Sequence, residues 1–200
     1  TISETIMRPK AEDPCTHTPK DLYPVLYLLH GGGNNHATWT GYTKVEMYAE
    51  ERNIAIVNIS GENKRYINNG VDDFFTFISK ELPDFVTGMF PISKRPEDTY
   101  IAGLSMGGYG TLVHTLPHPE DFAAFGAFSA STVARSENAK IHFEPRKLLE
   151  KFADEGKKFP KAYMACGKED FLYEDNKEFR DLLIGKGADV TWDEVDGYGH

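Results

Sequence analysis

Short apolar runs recur along the chain at lengths typical of buried strands. Val25–Leu29 is uninterrupted, and residues 54–59, 122–129 and 162–166 have the same character. Such runs are typical of strands that are covered on both faces, as in a parallel sheet. Three further strands are predicted from weaker patterns, at residues 1–10 (an edge strand), 99–102 and 190–195.

The segments between these runs show the helical spacing of apolar residues. Residues 38–52 and 74–90 are the longest of them, and the second is interrupted by Pro83, which we expect to bend the helix. Its helical stripe comprises Phe74, Phe77, Ile78, Glu81, Phe85 and Met89, and the aromatic residues of the stripe are interpreted as core. Further helices are predicted after residue 105, at 146–155 and at 175–184.

Strands and helices therefore alternate along the whole chain. This order indicates the α/β class, with a mainly parallel sheet and helices on both of its faces. No repeat, low-complexity tract or linker interrupts the pattern, so residues 1–200 are predicted to form a single domain. In sheets of this kind, ligands bind at the carboxyl ends of the strands.

The composition narrows the classes of function. The 200 residues carry a formal net charge of −9 without a basic cluster, which argues against nucleic acid as a partner. No apolar run approaches the roughly 20 residues that span a bilayer, so no membrane partner is expected. Cys15 and Cys166 have no metal-type spacing and imply neither a disulfide framework nor an oxidising compartment, so we expect a cytoplasmic location. The oligomeric state is open, and a homodimer or a larger oligomer is compatible with the sequence.

The stretch Gly103-Leu104-Ser105-Met106-Gly107 is a G-x-S-x-G motif between a predicted strand and a predicted helix. In that context the serine lies at a strained elbow with its hydroxyl exposed above the sheet. The two glycines avoid a clash with the neighbouring strand and helix. The alternative is a glycine-rich turn in which Ser105 only caps the helix.

A serine hydroxyl needs a base to accept its proton, and the base needs an orienting carboxylate. In this type of elbow the chain order is serine, acid, histidine. Four histidines follow Ser105 in the sequence: His114, His118, His142 and His200. The first two are predicted to lie on the elbow helix, pointing away from the hydroxyl, and the third precedes any plausible acid. His200 is therefore the predicted base, with a flexible terminal residue as the alternative.

The acid is less sharply defined by the residues alone. Glu169 and Asp170 both follow the strand predicted at 162–166. Either carboxylate has an alternative role as a helix cap or as a solvated surface group. The residues leave both candidates open.

An oxyanion formed during acyl transfer is usually held by two backbone N–H groups. One is expected from Met106, and the other from the glycine loop after Val25–Leu29, where Gly32 is the first candidate and Gly33 the second. A phosphate-binding loop is the rival interpretation of these glycines. It lacks the Lys-Ser/Thr ending of a P-loop and the spacing of a dinucleotide fingerprint.

Four stretches together resemble the esterase D-type branch of the α/β-hydrolases, which includes tributyrin esterases, feruloyl esterases and S-formylglutathione hydrolases. They are LLHGGG at 28–33, IAGLSMGGYG at 101–110, CGKEDFLY at 166–173 and GYGH at 197–200. The resemblance implies an α/β-hydrolase fold, a triad of Ser105, Asp170 and His200, and no metal or organic cofactor. Members usually have a further first strand and a helix after the catalytic histidine, so we expect the chain to be truncated at both ends relative to the family.

The expected function is that of a serine carboxylesterase, which hydrolyses small acyl or hydroxycinnamoyl (feruloyl) esters through an acyl-enzyme. Its expected partner is thus a small-molecule ester. Two alternatives are a thioesterase like the S-formylglutathione hydrolases and a catalytically impaired binding member of the same fold. Aromatic residues near the predicted mouth suit an aryl group, with core packing and surface cover as the alternative, and they are Trp39, Tyr42, Tyr66 and Tyr109.

Overall fold

A single mixed sheet organises the protein, as seen in a computed structural model that describes residues 5–7 and 22–200. Its strands are β1 Thr5–Met7, β2 Val25–Leu29, β3 Ala55–Ile59, β4 Thr99–Leu104, β5 Ala124–Phe128, β6 Lys161–Gly167 and β7 Val190–Val195. Their order across the sheet is β1-β3-β2-β4-β5-β6-β7. The edge strand β1 pairs antiparallel with β3, and the other neighbouring strands are parallel. The predicted α/β class is confirmed, and the cysteine at position 15 lies outside the described residues.

Helices fill the connections between the strands. They are α1 Thr38–Tyr42, α2 Val45–Arg52, α3 Phe74–Thr76, α4 Leu82–Met89, α5 Met106–Thr115, α6 Glu137–His142, α7 Pro145–Asp154 and α8 Tyr173–Gly185. A π-helical turn, Phe77–Glu81, joins α3 to α4. Among the residues that the structure describes, no helix has both the length and the apolarity to cross a membrane.

The strand β2 shows why the central strands are apolar throughout. Tyr27 and Leu29 join the main core, to which α4, α5, α7 and α8 contribute. Leu28 points to the other face, where it packs in a smaller cluster with Ala49 of α2, and Trp39 of α1 packs against that cluster. Because each face of the strand is covered by helices, four of its five residues are buried, and Leu26 is partly buried.

Two helical segments differ from the sequence prediction. The helix expected at 38–52 is two helices, because Thr43 has an extended backbone and its hydroxyl accepts a hydrogen bond from the Val45 N–H. Residues 130–145, whose polar sequence predicts an irregular segment, contain α6, where the Ser136 side chain accepts a hydrogen bond from the Ala139 N–H. Both differences come from local side-chain hydrogen bonds that begin a helix.

The interpretation of the aromatic residues of the 74–90 stripe as core is wrong for Phe85. Phe85 is 55% exposed and Met89 is 67% exposed, whereas Leu82 and Val86 are buried. The π-helical turn adds a residue to the repeat just before α4, which rotates the inward-facing positions around the helix. A stripe extrapolated at a constant helical period therefore loses register at this turn.

Candidate active site

Ser105 lies between β4 and α5 with a backbone conformation of φ 56° and ψ −110°. A positive φ is uncommon for a residue with a side chain, and it marks the strained elbow that the motif predicts. The Ser105 N–H donates to the Phe128 carbonyl at 2.9 Å, and its own carbonyl accepts from the Ser131 N–H at 3.1 Å. These bonds to the end of β5 and the following loop hold the elbow on both sides.

The two motif glycines are required by close backbone packing. A Cβ at Gly103 would overlap the backbone of Gly107, and a Cβ at Gly107 would overlap the carbonyl groups of Leu29 and His30. Real Cβ atoms do not approach backbone atoms this closely, so the helix α5 can start against β2 only if both residues are glycine. The steric role predicted for the pair is confirmed.

Three side chains form a hydrogen-bonded chain at the carboxyl edge of the sheet. Ser105 Oγ lies 2.9 Å from His200 Nε2, and His200 Nδ1 lies 3.0 Å from Asp170 Oδ2. Because the carboxylate can only accept, the proton of the neutral imidazole lies on Nδ1. His200 Nε2 is then free to accept the hydroxyl proton of Ser105, as a general base must.

The surroundings of Asp170 keep its carboxyl group ionised. Its side chain is fully buried, and burial alone raises the pKa of a carboxyl group. Hydrogen bonds from the Leu172 N–H, the Ser129 side chain and His200, together with the charge of His200, outweigh this effect, so the pKa of Asp170 lies below its usual range. A buried, charged acceptor of this kind holds the imidazole in one tautomer and orientation.

The structure also separates the competing candidates. Of the two acid candidates, Asp170 contacts His200, while Glu169 is exposed. His114 lies on α5 and is buried, with its Nε2 2.9 Å from the Tyr66 carbonyl. His118 lies beyond the end of α5, so its expected place on that helix is wrong, since α5 ends at Thr115.

The glycine loop after β2 is fixed by His30, which lies beneath it. The His30 ring accepts from the Gly61 N–H at Nε2, and its Nδ1 lies 2.7 Å from the Gly31 carbonyl, to which it donates. Burial lowers the pKa of His30. The hydrogen bond to the Gly31 carbonyl raises this pKa by less, so the ring stays neutral. The carbonyl of His30 accepts from the Tyr66 hydroxyl at 2.9 Å. The loop is thereby attached to the 60–71 segment.

The amides of this loop differ in their availability. The Gly33 N–H donates to the Asn63 side chain. The Gly32 N–H has no partner among the described residues, and Gly32 is exposed. On the other side of the site, Met106 is the first residue of α5, where backbone N–H groups lack intrahelical acceptors. Free N–H groups therefore occur at two of the three positions predicted for an oxyanion hole.

Two residues that sequence reasoning left without a role lie beside this chain of side chains. Ser129, which follows β5, has a φ of 41°, its Oγ lies 3.7 Å from Cys166 Sγ, and it contributes to the lowered pKa of Asp170. Its position after a parallel strand was the available signal. Phe171 is 71% exposed, and its ring centroid lies 4.6 Å from that of His200. For Phe171, the available signal was its position next to Asp170 in the sequence.

Three of the four aromatic residues considered for the mouth of the site have a structural role. Tyr66 and Tyr109 are fully buried, and Tyr66 packs against the glycines at positions 61 and 110. Trp39 donates its indole N–H to the Leu29 carbonyl and packs edge-on against Phe128. Core packing accounts for these residues, as the alternative interpretation held.

Comparison with known proteins supports one family. A family model described as "Putative esterase" matches residues 7–196. An acetyl esterase of Caldicellulosiruptor saccharolyticus is 31% identical over 203 residues, covering 88% of this chain and 76% of that protein. These two matches are sufficient to establish the family.

Solved structures agree with the sequence relationships. The fluorophosphonate-binding serine hydrolase FphF of Staphylococcus aureus is 30% identical with a TM-score of 0.83, covering 98% of this chain and 85% of that chain. The S-formylglutathione hydrolase FrmB of Staphylococcus aureus is 29% identical with a TM-score of 0.81, covering 98% and 86%. Ferulic acid esterases of lower identity share the fold. The strand order, the elbow and these matches together show that the chain belongs to the esterase family and has the α/β-hydrolase fold.

Proposed function

We propose that this esterase works through a triad in which Ser105 is the nucleophile, His200 the general base and Asp170 the orienting acid. The observation that carries the proposal is the continuous chain of two hydrogen bonds, 2.9 Å and 3.0 Å long, that links the three side chains. Nucleophile, base and orienting group in mutual hydrogen-bond contact are the geometric signature of covalent catalysis by serine.

Acylation begins when Ser105 Oγ attacks the carbonyl carbon of the ester and its proton passes to His200 Nε2. The resulting imidazolium is stabilised by Asp170, whose lowered pKa keeps it ionised. The carbon–oxygen bond to the alcohol then breaks, and His200 returns the proton to the departing alcohol oxygen. In deacylation, water loses a proton to His200 and attacks the acyl carbon. The bond from that carbon to Ser105 Oγ then breaks, and His200 returns the proton to Ser105 Oγ as the acid is released.

The negative charge that develops on the carbonyl oxygen needs preorganised donors. The Met106 N–H at the start of α5 is the first donor in this proposal, and the Gly32 N–H is the second. The bond from Gly33 to Asn63 supports the choice of Gly32, because the Gly33 amide is already used. His30 keeps the loop in place through its bonds to Gly31 and Gly61.

The substrates proposed are carboxylic esters with a small acyl group or a hydroxycinnamoyl group. The 31% identity to an acetyl esterase supports the small acyl group, and the shared fold of ferulic acid esterases is compatible with the second class. A thioesterase is the second candidate, because FrmB, an S-formylglutathione hydrolase, is 29% identical and covers 98% of this chain. Ester and thioester hydrolysis use the same acyl-enzyme, so the choice depends on the leaving group.

A burst experiment with p-nitrophenyl acetate tests the mechanism. The native protein is expected to release about one equivalent of p-nitrophenol before steady turnover. Ser105→Ala is expected to show no burst at an unchanged melting temperature, since its hydroxyl is not part of the core. His200→Ala is expected to lower the acylation rate by about 10²–10⁴-fold.

His118→Ala is the matched control, because this exposed histidine lies outside the site. Near-native activity in Ser105→Ala would refute the nucleophile. Methyl ferulate and S-formylglutathione, added as competing substrates, separate the ester and thioester candidates. Neither a burst nor turnover from folded native protein would favour a non-catalytic member of the fold.

A further inference from the structure

The ring of Phe171 is exposed to solvent directly beside the proposed base, His200. Phe171 is 71% exposed, and its ring lies at 51° to the imidazole of His200 with centroids 4.6 Å apart. Exposed apolar surface on a protein is common when scattered, but next to a reactive group it forms part of the wall that a substrate meets.

The exposure of Phe171 follows from the turn that presents Asp170. Asp170 and Leu172 on either side of it are buried, and the Asp170 side chain accepts a hydrogen bond from the Leu172 N–H at 2.8 Å. With both neighbours turned inward, the side chain of Phe171 is held outward, where it meets His200. The described contacts of the ring are with the imidazole and place it in none of the hydrophobic core clusters.

The position of His200 tells which part of an ester lies on this side. In acylation the base gives its proton to the alcohol oxygen, so that oxygen must come within hydrogen-bond reach of Nε2. The acyl group instead stays bonded to Ser105 and points its oxygen at the amides of Met106 and Gly32. The alcohol portion therefore extends over the imidazole toward Phe171.

We propose that Phe171 is a specificity-determining residue that binds the alcohol portion of the ester and favours apolar alcohols. This inference rests on the triad proposed above. Removing apolar surface from water stabilises a contact in proportion to the area covered, so the benefit grows with the size of the alcohol. The alcohol has left before deacylation, and Phe171 therefore acts only on the first half of the reaction.

The test compares acetate esters that differ only in the alcohol, from methyl acetate through butyl acetate to benzyl acetate. For Phe171→Ala, kcat/KM is expected to fall about tenfold with the two larger alcohols and by less than about threefold with methyl acetate. The deacylation rate, measured as the turnover that follows the p-nitrophenyl acetate burst, is expected to be unchanged. Phe85→Ala, which removes another exposed phenylalanine, is the matched control and is expected to alter none of these rates.

Two results would overturn the proposal. An equal fall for every alcohol together with slower deacylation would mean that the ring only positions His200. Unchanged kinetics with all three esters would mean that the ring does not contact the alcohol. Labelling by a fluorophosphonate, whose leaving group is fluoride, should proceed at the native rate in Phe171→Ala and confirms an intact Ser105. If the native protein itself gave neither a burst nor turnover, the triad would be at fault and not the role of Phe171.

Discussion

The two halves of the site are held in place by different means. Ser105 is followed by α5, whose ten residues are all buried, and its backbone is bonded to β5 and the loop after it. His200 is on an exposed segment, residues 193–200, which is held by bonds such as Glu169 N–H to the Tyr198 carbonyl and His200 to Asp170. The proposed nucleophile is thus positioned by core packing and the proposed base by a few bonds at the surface. A substitution that disturbs the packing around Ser105 should lower the stability of the protein. A substitution that disturbs the segment carrying His200 should lower the activity alone.

The largest effect is expected from Gly107→Ala in the first half. Its Cβ would overlap the carbonyls of Leu29 and His30, which belong to the central strand β2 and the glycine loop. Since neither the strand nor the helix can move without disturbing the core, we expect a loss of about 3 kcal/mol or more in the free energy of unfolding and no measurable turnover. Urea unfolding followed by circular dichroism measures the first quantity.

Gly185→Ala is the control for this variant, because a Cβ at Gly185 meets no atom within 4 Å. It adds the same methyl group at the end of α8 and should leave stability and turnover near the native values. A Gly107→Ala protein with native stability would show that the elbow is adjustable and that the proposed contrast between the halves is wrong.

A smaller effect, limited to activity, is expected from Gly167→Ala in the second half. Here the Cβ would overlap the carbonyl of Tyr198 and press against that of Gly199, again backbone atoms, but on the exposed segment that carries His200. That segment can shift without opening the core, and a shift of about 1 Å in a catalytic group costs about 100-fold in rate. We therefore expect kcat to fall by about that factor with little change in melting temperature.

Steady-state kinetics with p-nitrophenyl acetate and a thermal melt decide this case together. A melting temperature lowered as far as in Gly107→Ala would mean that residues 198–200 are part of the stable core. An unchanged kcat would mean that His200 keeps its place without the close packing at Gly167. Either result would remove the distinction between the halves.

The same contrast explains what the sequence could predict. The apolar runs and the spacing of the motif glycines report on backbone packing, so the strands and the elbow were predicted correctly. The residues alone left Glu169 and Asp170 both open as the acid, and only the family resemblance favoured Asp170. The partner of Gly33 depends on Asn63, thirty residues away in sequence, and could not be read locally. The backbone of Ser129 and the ring of Phe171 likewise depend on neighbours from other strands.

The smallest effect on activity at neutral pH is expected from His114→Gln. This variant tests the packed half of the site, Ser105 and α5, through the pH dependence of the free energy of unfolding. His114 lies on α5, where burial lowers its pKa to about 4, its bond to the Tyr66 carbonyl opposes this and the charge of His118 adds to it. Between pH 7 and pH 4 the unfolded chain takes up a proton at this residue, near pH 6.5, that the folded protein takes up only near pH 4. Stability contributed by the neutral ring is thus present above pH 6.5 and declines as the pH falls, by about 3 kcal/mol in total.

Glutamine retains an N–H that can donate to the Tyr66 carbonyl, but it does not titrate. The free energy of unfolding of the native protein should therefore fall between pH 7 and pH 4 by about 3 kcal/mol more than that of His114→Gln, as measured by urea unfolding across that range. The turnover of the two proteins at pH 7 should agree, because the bond to Tyr66 lies in the packed half and His200 is untouched. If the free energy of unfolding changed with pH in the same way in both proteins, His114 would be protonated inside the folded core. The packed half would then be less rigid than the elbow geometry requires.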